Sequence, residues 1–197
     1  MTSQEVNKTR RRLLVTATSV VGAVGVGFTA VPFIAAMNPS ARARAAGAPV
    51  EADIGKLEPG ALLRVKWRGQ PVWIVHRTPE MLAALPTLED RLVDPTSQVP
   101  QQPSYCQNPT RSIKPAYFVA IGICTHLGCS PTYRPEFAPE DLGANWKGGW
   151  FCPCHGSKFD LAGRVFKGVP APTNLVIPKH VYLNDTTILV GEDGGHA

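Results

Sequence analysis

Charge is scarce in this sequence and is balanced over most of its length. Only 18% of the 197 residues are charged, and the formal net charge is +5. Residues 1–44 hold six of the 20 Lys and Arg and one of the 15 Asp and Glu, so residues 45–197 carry 14 of each sign. Binding to a nucleic-acid backbone needs an excess of basic side chains on the folded part. We therefore expect no nucleic-acid partner.

Charged residues are absent from Leu13 to Met37, a run of 25 residues. As a helix rising ~1.5 Å per residue it is about 37 Å long, which is enough to span a bilayer. The segment Thr9–Leu14 is typical of a twin-arginine export signal, the route of proteins that fold around a cofactor before export. Its arginines, together with Lys8, predict a cytoplasmic N-terminus, and Pro32 predicts a kink near the outer end.

The alternative to a membrane anchor is a cleaved signal peptide, because small residues around positions 41–45 resemble a cleavage site. The apolar run, however, exceeds the ~7 to 15 residues of an ordinary signal-peptide core. We therefore expect an uncleaved, single-pass anchor in a bacterial inner membrane, with the following domain on the periplasmic side.

Beyond the anchor, residues 38–49 are small and polar and predict a linker, and residues 50–197 are long enough for one domain. Short apolar runs separated by turn signals predict a mainly β domain, an antiparallel β-sandwich. A capped helix is expected from Thr78 to Leu85 and a Pro-, Gln- and Ser-rich insert over residues 86–115. The expected strands are Ala61–Trp67, Gln70–His76, Ala116–Ile123, Gly149–Phe151, Arg164–Lys167, Val181–Leu183 and Thr187–Val190. The first two are predicted to form a hairpin around Arg68-Gly69, and the last two a closing hairpin around Asn184-Asp185.

Cysteine is scarce as well, and four of the five cysteines lie in two short motifs. The first is Cys124-Thr-His126-Leu-Gly-Cys129, and after a gap of 22 residues comes Cys152-Pro-Cys154-His155-Gly-Ser157. Each motif offers a cysteine, a histidine and a spare cysteine. A Cys2His2 zinc site is the alternative for an intracellular protein, but it leaves Cys129 and Cys154 without a role. The doubled pattern favours an iron-sulfur cluster with thiolates on one iron and imidazoles on the other.

Imidazole ligands raise the reduction potential of such a cluster. Replacing two of four thiolates by neutral imidazoles removes two negative charges and leaves an oxidised 2Fe-2S centre uncharged, so that adding an electron costs less electrostatic work. Each ligating imidazole keeps a second nitrogen that can carry a proton. The gained electron raises the proton affinity of that nitrogen, so electron and proton uptake are linked.

Residues Cys124 to Ser157 resemble the paired motifs of Rieske 2Fe-2S proteins. The resemblance implies that Cys124 and Cys152 bind one iron, that His126 and His155 bind the other, and that Cys129 pairs with Cys154 in a disulfide. It also implies a cluster-binding part over about residues 116–172. Such a disulfide needs an oxidising compartment and is typical of the quinol-oxidising members of the family.

The same resemblance implies roles for residues around the cluster. Ser157 is expected to donate its hydroxyl to a bridging sulfide. A loop at Gly168–Pro172, with Gly168, Pro170 and Pro172 at its stiff positions, is expected to cover the cluster and to form an apolar rim with Leu127. Quinol-oxidising relatives often carry a tyrosine two residues after this serine. Phe159 stands there, which predicts a lower, though still positive, potential.

The function implied is that of the iron-sulfur subunit of a bacterial cytochrome bc1 complex. His155 is expected to contact ubiquinol and accept its proton. The domain at residues 50–197 is expected to pass the electron to a c-type cytochrome, while the second electron goes to cytochrome b. The linker at residues 38–49 is expected to act as a hinge, and the complex to be dimeric. The alternatives are the small Rieske subunit of a periplasmic oxidase, such as arsenite oxidase, and a zinc-stabilised binding domain. Cys106 has no counterpart in the family and is expected to be an unpaired thiol.

Overall fold

The computed structural model describes residues 7–194, with the side chain of residue 46 left out. These residues belong to two compact units, which divide between Ala45 and Ala46. Each unit is described by itself.

The first unit contains the long helix α1, Lys8–Ala36, followed by the short helix α2, Ala41–Ala46. The Asn7 side chain caps α1 by accepting a hydrogen bond of 3.0 Å from the Arg10 N–H. The helix continues through Pro32, and its apolar side chains are exposed. By length and composition, the stretch Lys8–Ala45 holds one helix able to cross a membrane. The helix begins before the predicted apolar run because the basic segment is helical too.

The second unit contains nine strands among the described residues, in three antiparallel sheets of three strands each. The sheet orders are β1-β9-β8, β2-β3-β4 and β5-β6-β7. The strands are β1 Val50–Asp53, β2 Leu62–Trp67, β3 Gln70–His76, β4 Tyr117–Ile121, β5 Thr132–Phe137, β6 Lys147–Phe151, β7 Lys158–Asp160, β8 His180–Tyr182 and β9 Thr187–Val190. A mainly antiparallel β fold is therefore confirmed.

Strand β3 is central and connects two cores. Its residues alternate between faces, so that Val72 and Ile74 enter a core with β1 and β9, while Trp73 and Val75 enter a core with β6 and β7. All four side chains are buried. The predicted hairpin between β2 and β3 is confirmed, with positive φ angles at Arg68 and Gly69 in its two-residue turn.

Two other predicted elements also agree with the structure. Helix α3 spans Pro79–Ala84, and the Thr78 hydroxyl caps it. Strands β8 and β9 pair antiparallel, as predicted for the closing hairpin. The prediction missed β1, β5 and β7, which are short or carry polar residues.

The strand predicted at Arg164–Lys167 was wrong. Val165 and Phe166 form only isolated bridges, to Phe159 and Leu92. The Arg164 N–H donates instead to the Asp160 carboxylate at 2.8 Å, and the Val165 N–H donates to Asn174 Oδ1 at 2.9 Å. Regular strand pairing does not extend through this segment, because side-chain oxygens accept the hydrogen bonds from these two backbone N–H groups.

The predicted insert at residues 86–115 packs into the domain, with Cys106, Arg111 and Ser112 buried. It contains the 3-10 segments Leu85–Arg91 and Ser104–Cys106. Cys106 is an unpaired thiol, as expected, but it is fully buried in the core with Trp150. Burial raises the pKa of the Cys106 thiol to about 11, so that it stays protonated at neutral pH.

A turn at Asp160–Gly163 is held by three buried arginines. Arg77 donates to the Leu161 carbonyl at 3.2 Å, and Arg111 donates to the Ala162 and Gly163 carbonyls at 3.0 and 3.2 Å. Burial lowers the pKa of Arg77 and of Arg111 to about 10, which leaves both charged at neutral pH.

The third arginine of this turn has a carboxylate partner. Arg164 Nε lies 2.8 Å from Asp160 Oδ2, and both side chains are almost inaccessible to solvent. Arg164 Nη2 also donates to the Leu85 carbonyl at 2.8 Å. The turn therefore ties β7 to the segment that follows α3.

Replacing Asp160 by Asn should strongly destabilise the domain, because Arg164 would keep a buried charge without a counter-ion. We expect Asp160→Asn to lower the free energy of unfolding by about 3 to 5 kcal/mol. The matched control is Asp185→Asn, because Asp185 is exposed and pairs with Lys114. That change should cost under about 1 kcal/mol. Denaturant unfolding of the full chain in detergent measures both, and equal losses would contradict the assigned role of the buried pair.

Candidate metal centre

The two cysteine motifs lie on two neighbouring loops at the ends of strands of the β core. The first loop follows β4, and the second follows β6 directly. Trp73 of β3 and Trp150 of β6 stack with ring centroids 5.5 Å apart and planes 2° from parallel. Gly122, just before the first loop, touches this stack so closely that a Cβ there would come within 2.3 Å of the Trp73 indole. The approach of the first loop therefore requires glycine.

Both loops are closed by the same pair of backbone hydrogen bonds. In the first, the Cys124 N–H donates to the Cys129 carbonyl at 2.7 Å, and the Gly128 N–H donates to the Cys124 carbonyl at 3.1 Å. In the second, the Cys152 N–H donates to the Ser157 carbonyl at 2.8 Å, and the Gly156 N–H donates back to Cys152 at 2.9 Å.

A glycine stands at the fifth position of each loop, with φ of +83° at Gly128 and +77° at Gly156. Nothing lies within 4 Å of a Cβ placed on either glycine. Glycine is therefore favoured at these two positions by the positive φ angle, and not by a lack of space for a side chain. The sequence analysis missed this equivalence, although a Gly four residues after the leading Cys of each motif is visible in the sequence.

A disulfide between Cys129 and Cys154 joins the two loops. The Sγ atoms of Cys129, Cys154 and Cys152 lie within 4.8 Å of one another. Since two of these sulfurs are already bonded to each other, the grouping places the disulfide beside Cys152 and does not form a three-thiolate site. The pairing implied by the family resemblance is present.

The remaining donors form two neighbouring pairs. Cys124 and Cys152 are free thiols with 3% and 2% exposure. Burial raises the pKa of the Cys152 thiol, and a hydrogen bond with Cys124 raises it further. The rings of His126 and His155 lie edge to face with centroids 4.7 Å apart. His155 is exposed and His126 is half-buried.

These donors fit a cluster with two thiolate and two imidazole ligands. Among the described residues, the buried His126 Nδ1 has no hydrogen-bond partner, which is a costly state for a polar atom unless something binds it. The Cys124 and Cys152 thiols are buried and hydrogen-bonded to each other, which brings two candidate thiolate ligands together. Two neutral and two anionic ligands from two loops match the Rieske form of a 2Fe-2S centre.

The loop at Gly168–Pro172 is bound to both cysteine loops. Ser157 Oγ is buried and accepts a hydrogen bond of 3.1 Å from the Ala171 N–H. Thr125 Oγ1 in the first loop donates to the Thr173 carbonyl at 2.7 Å. The Ser157 hydroxyl keeps its own proton for a further acceptor. The role of Thr125 was not foreseen, since a threonine within a ligand motif carries no distinct signal.

Exposure within the site is uneven. Gly168, Pro170 and Pro172 are exposed, and so is Leu127, at 72%. Phe159 is fully buried in the core that also contains Cys124 and Cys152. Leu127 and His155 thus present an apolar and a polar group to solvent next to the buried thiols.

Comparison with known proteins gives matches over the whole chain. A family model described as "Rieske [2Fe-2S] domain" matches residues 96–182, and one described as "Ubiquitinol-cytochrome C reductase Fe-S subunit TAT signal" matches residues 1–40. The predicted export signal and the cluster type are thereby confirmed, and the zinc alternative is set aside.

Several relatives carry the name "Ubiquinol-cytochrome c reductase iron-sulfur subunit", and two of them show the range of similarity. The relative from Allochromatium vinosum is 80% identical over 197 residues, covering 100% of this chain and 95% of its own length. The relative from Blastochloris viridis is 41% identical over 189 residues, covering 96% of each chain. A chain in the solved structure "Hyperthermophilic respiratory Complex III" is 23% identical, with a TM-score of 0.47, covering 90% of this chain and 98% of that one.

Identity of 80% over the full length, together with paired ligand loops joined by a disulfide, decides between the families that the sequence left open. The chain belongs to the family of ubiquinol-cytochrome c reductase iron-sulfur subunits and carries one Rieske 2Fe-2S cluster.

Proposed function

We propose that this chain is the electron-transfer subunit of a quinol-cytochrome c reductase, taking one electron from ubiquinol and passing it to a c-type cytochrome. The observation that carries the proposal is the exposure of His155 and Leu127 on the same two loops that bury the Cys124 and Cys152 thiols. The full-length relatives named as this subunit support the same activity.

In this proposal Cys124 and Cys152 hold one iron, and His126 and His155 hold the other. When bound, the cluster supplies one-electron acceptance at high potential. The chain contributes the protonation chemistry, because an exposed imidazole can accept a hydrogen bond and then a proton from a quinol hydroxyl. His155 takes this role, since it is exposed and His126 is half-buried.

The rim around His155 is proposed to exclude water and to receive the quinol ring. Leu127 supplies an exposed apolar side chain, and the loop with Gly168, Pro170 and Pro172 supplies a second wall. The hydrogen bonds from Ala171 to Ser157 and from Thr125 to Thr173 hold this wall against both ligand loops. A rigid wall keeps the docking geometry from one turnover to the next.

The proposed partners are cytochrome b and a c-type cytochrome, within a dimeric complex. Helix α1 supports a single-pass anchor in a bacterial inner membrane, and the export signal supports a periplasmic position for the domain. Residues 38–49, where α2 lies, are proposed as the hinge that lets the domain move between donor and acceptor.

The activity is tested by electron paramagnetic resonance of reduced membranes with and without a quinol-site inhibitor. We expect a low average g signal whose shape changes on adding inhibitor, because the inhibitor binds next to a ligand histidine. We also expect Leu127→Ala to reduce quinol-dependent cytochrome c reduction about tenfold or more, since burying a leucine side chain contributes about 2 kcal/mol.

The matched control for Leu127 is Leu183→Ala, which removes a half-exposed leucine after β8. This control should leave turnover and the inhibitor-sensitive signal unchanged. A signal that is indifferent to inhibitor, or equal effects of the two substitutions, would refute quinol contact at this rim.

Removing the disulfide should loosen the two ligand loops. Cys129 and Cys154 are 25 residues apart, so a link between them stabilises by about 3 kcal/mol in the chain-entropy account. We expect the double variant Cys129→Ser/Cys154→Ser to lose its cluster at a clearly lower temperature than the wild-type chain. Visible absorbance during heating measures this loss. The wild-type chain treated with reductant should behave alike, and unchanged thermal loss in both samples would contradict this role.

Substituting Phe159 by Tyr should raise the reduction potential. Phe159 is buried in the core with Cys124 and Cys152, and a hydroxyl there can donate to a cysteine sulfur and stabilise the reduced state. Redox titration of the full chain measures the change. The control is Phe137→Tyr, where the side chain is 46% exposed and no change is expected. A potential unaltered by Phe159→Tyr would show that no such bond forms.

A further inference from the structure

A cavity of about 380 Å³ lies beside the second ligand loop, and nothing in the proposed function uses it. Gly156, the residue after His155, forms part of its lining, together with Gly168 and Val169 of the proline-containing loop. The opposite wall comes from the segment before β6 and from the end of the 3-10 segment Leu85–Arg91. The cavity therefore adjoins the cluster site and shares Gly168 with its rim, but His155 and Leu127 do not line it.

Three cationic side chains line this cavity, and among residues 7–194 no Asp or Glu does. Arg91, Lys158 and Lys167 come from three different segments of the chain. Since residues 45–197 carry equal numbers of basic and acidic groups, this excess is local. It is not the by-product of a generally basic domain.

The three cations lack counter-ions within residues 7–194. None of them forms an ion pair there, whereas Arg134 nearby is neutralised by Asp141. Lys167 Nζ donates to the Asp90 carbonyl at 2.9 Å, and Arg91 Nη1 lies 3.5 Å from the Asn145 carbonyl. These single contacts hold the side chains in place and leave most of their N–H donors available, since Lys has three and Arg five.

The floor of the cavity is apolar. Trp146 and Phe166 stack with centroids 6.1 Å apart, and both are largely buried. Leu142 and Val169 extend the same surface. Charges beside a low-dielectric wall act on one another more strongly than charges in open water. The lining suits an anion with several oxygens, held by the cations and in contact with apolar side chains.

We propose that this cavity binds a phosphate-type oxyanion and that its occupancy is linked to the redox state of the neighbouring cluster. Reduction adds a negative charge near the cations, which stabilise it. A bound anion neutralises those cations and so disfavours reduction. By reciprocity, the oxidised protein binds the anion more tightly than the reduced protein does. The source is either inorganic phosphate or the phosphate headgroup of an anionic lipid.

The test is a redox titration of the full chain with its cluster, in a non-ionic detergent, with increasing inorganic phosphate at constant ionic strength. We expect the midpoint potential to fall and then level off. At least a fivefold preference for the oxidised form is expected, which corresponds to a fall of about 40 mV for a one-electron centre. Phosphorus NMR of the oxidised and reduced chain measures binding itself.

The variant Lys158→Gln/Lys167→Gln should abolish both the phosphate-dependent fall and the binding seen by NMR. The matched control is Lys56→Gln/Lys66→Gln, which removes two exposed lysines outside the cavity and should keep both effects. Absence of any phosphate effect in the wild-type chain, or equal loss in the two double variants, overturns the proposal. No quinol is used, so failure of quinol oxidation would leave this result standing.

The source of the phosphate is decided in nanodiscs. A lower midpoint potential in phosphatidylglycerol discs than in phosphatidylcholine discs, lost in Lys158→Gln/Lys167→Gln but kept in the control, supports a lipid headgroup. A fall caused by dissolved phosphate alone, equal in both kinds of disc, supports inorganic phosphate. A midpoint indifferent to lipid and to dissolved phosphate overturns the site altogether.

Discussion

The link between Cys129 and Cys154 is the constraint on which the cluster site depends. Each ligand loop is closed internally by only two backbone hydrogen bonds. Alone, such a loop would leave its cysteine and histidine free to separate from those of the other loop. The covalent link removes that freedom and keeps Cys152 next to the joined sulfurs. Export in a folded state, followed by residence in an oxidising compartment, is consistent with this dependence.

The buried arginines provide the second level of support. The turn Asp160–Gly163 begins at the last residue of β7, which follows the second ligand loop, and it precedes the loop at Gly168–Pro172. Three buried arginines hold this turn. Arg77 and Arg111 donate to its backbone carbonyls, and Arg164 pairs with its one carboxylate, that of Asp160. Burying these charges is costly unless their donors find acceptors. Backbone carbonyls supply most of the acceptors, although the buried Arg111 Nε has no hydrogen-bond partner among the described residues. A rigid support of this kind lets the exposed rim stay fixed while the cluster changes charge.

Sequence reasoning succeeded where a local rule governs the structure. The Arg68-Gly69 turn needs positive φ angles, and Thr78-Pro79 is a helix start, so both elements followed from short-range chemistry. It failed at Arg164–Lys167, where side chains 4 and 9 residues away take the backbone donors. It also treated residues 86–115 as a polar insert. Buried Arg111 organises that insert through carbonyls more than 50 residues distant.

The sequence alone determined the kind of cofactor, the long apolar helix and the export signal. Those properties depend on residue type and spacing within short segments of the chain. They can therefore be predicted without knowledge of the fold. Only the tertiary structure decided which histidine is exposed, which thiols are buried together, and that Arg91, Lys158 and Lys167 meet at one cavity. Residues far apart in the chain become neighbours through strand pairing and core packing, and these long-range contacts are not written in local spacing.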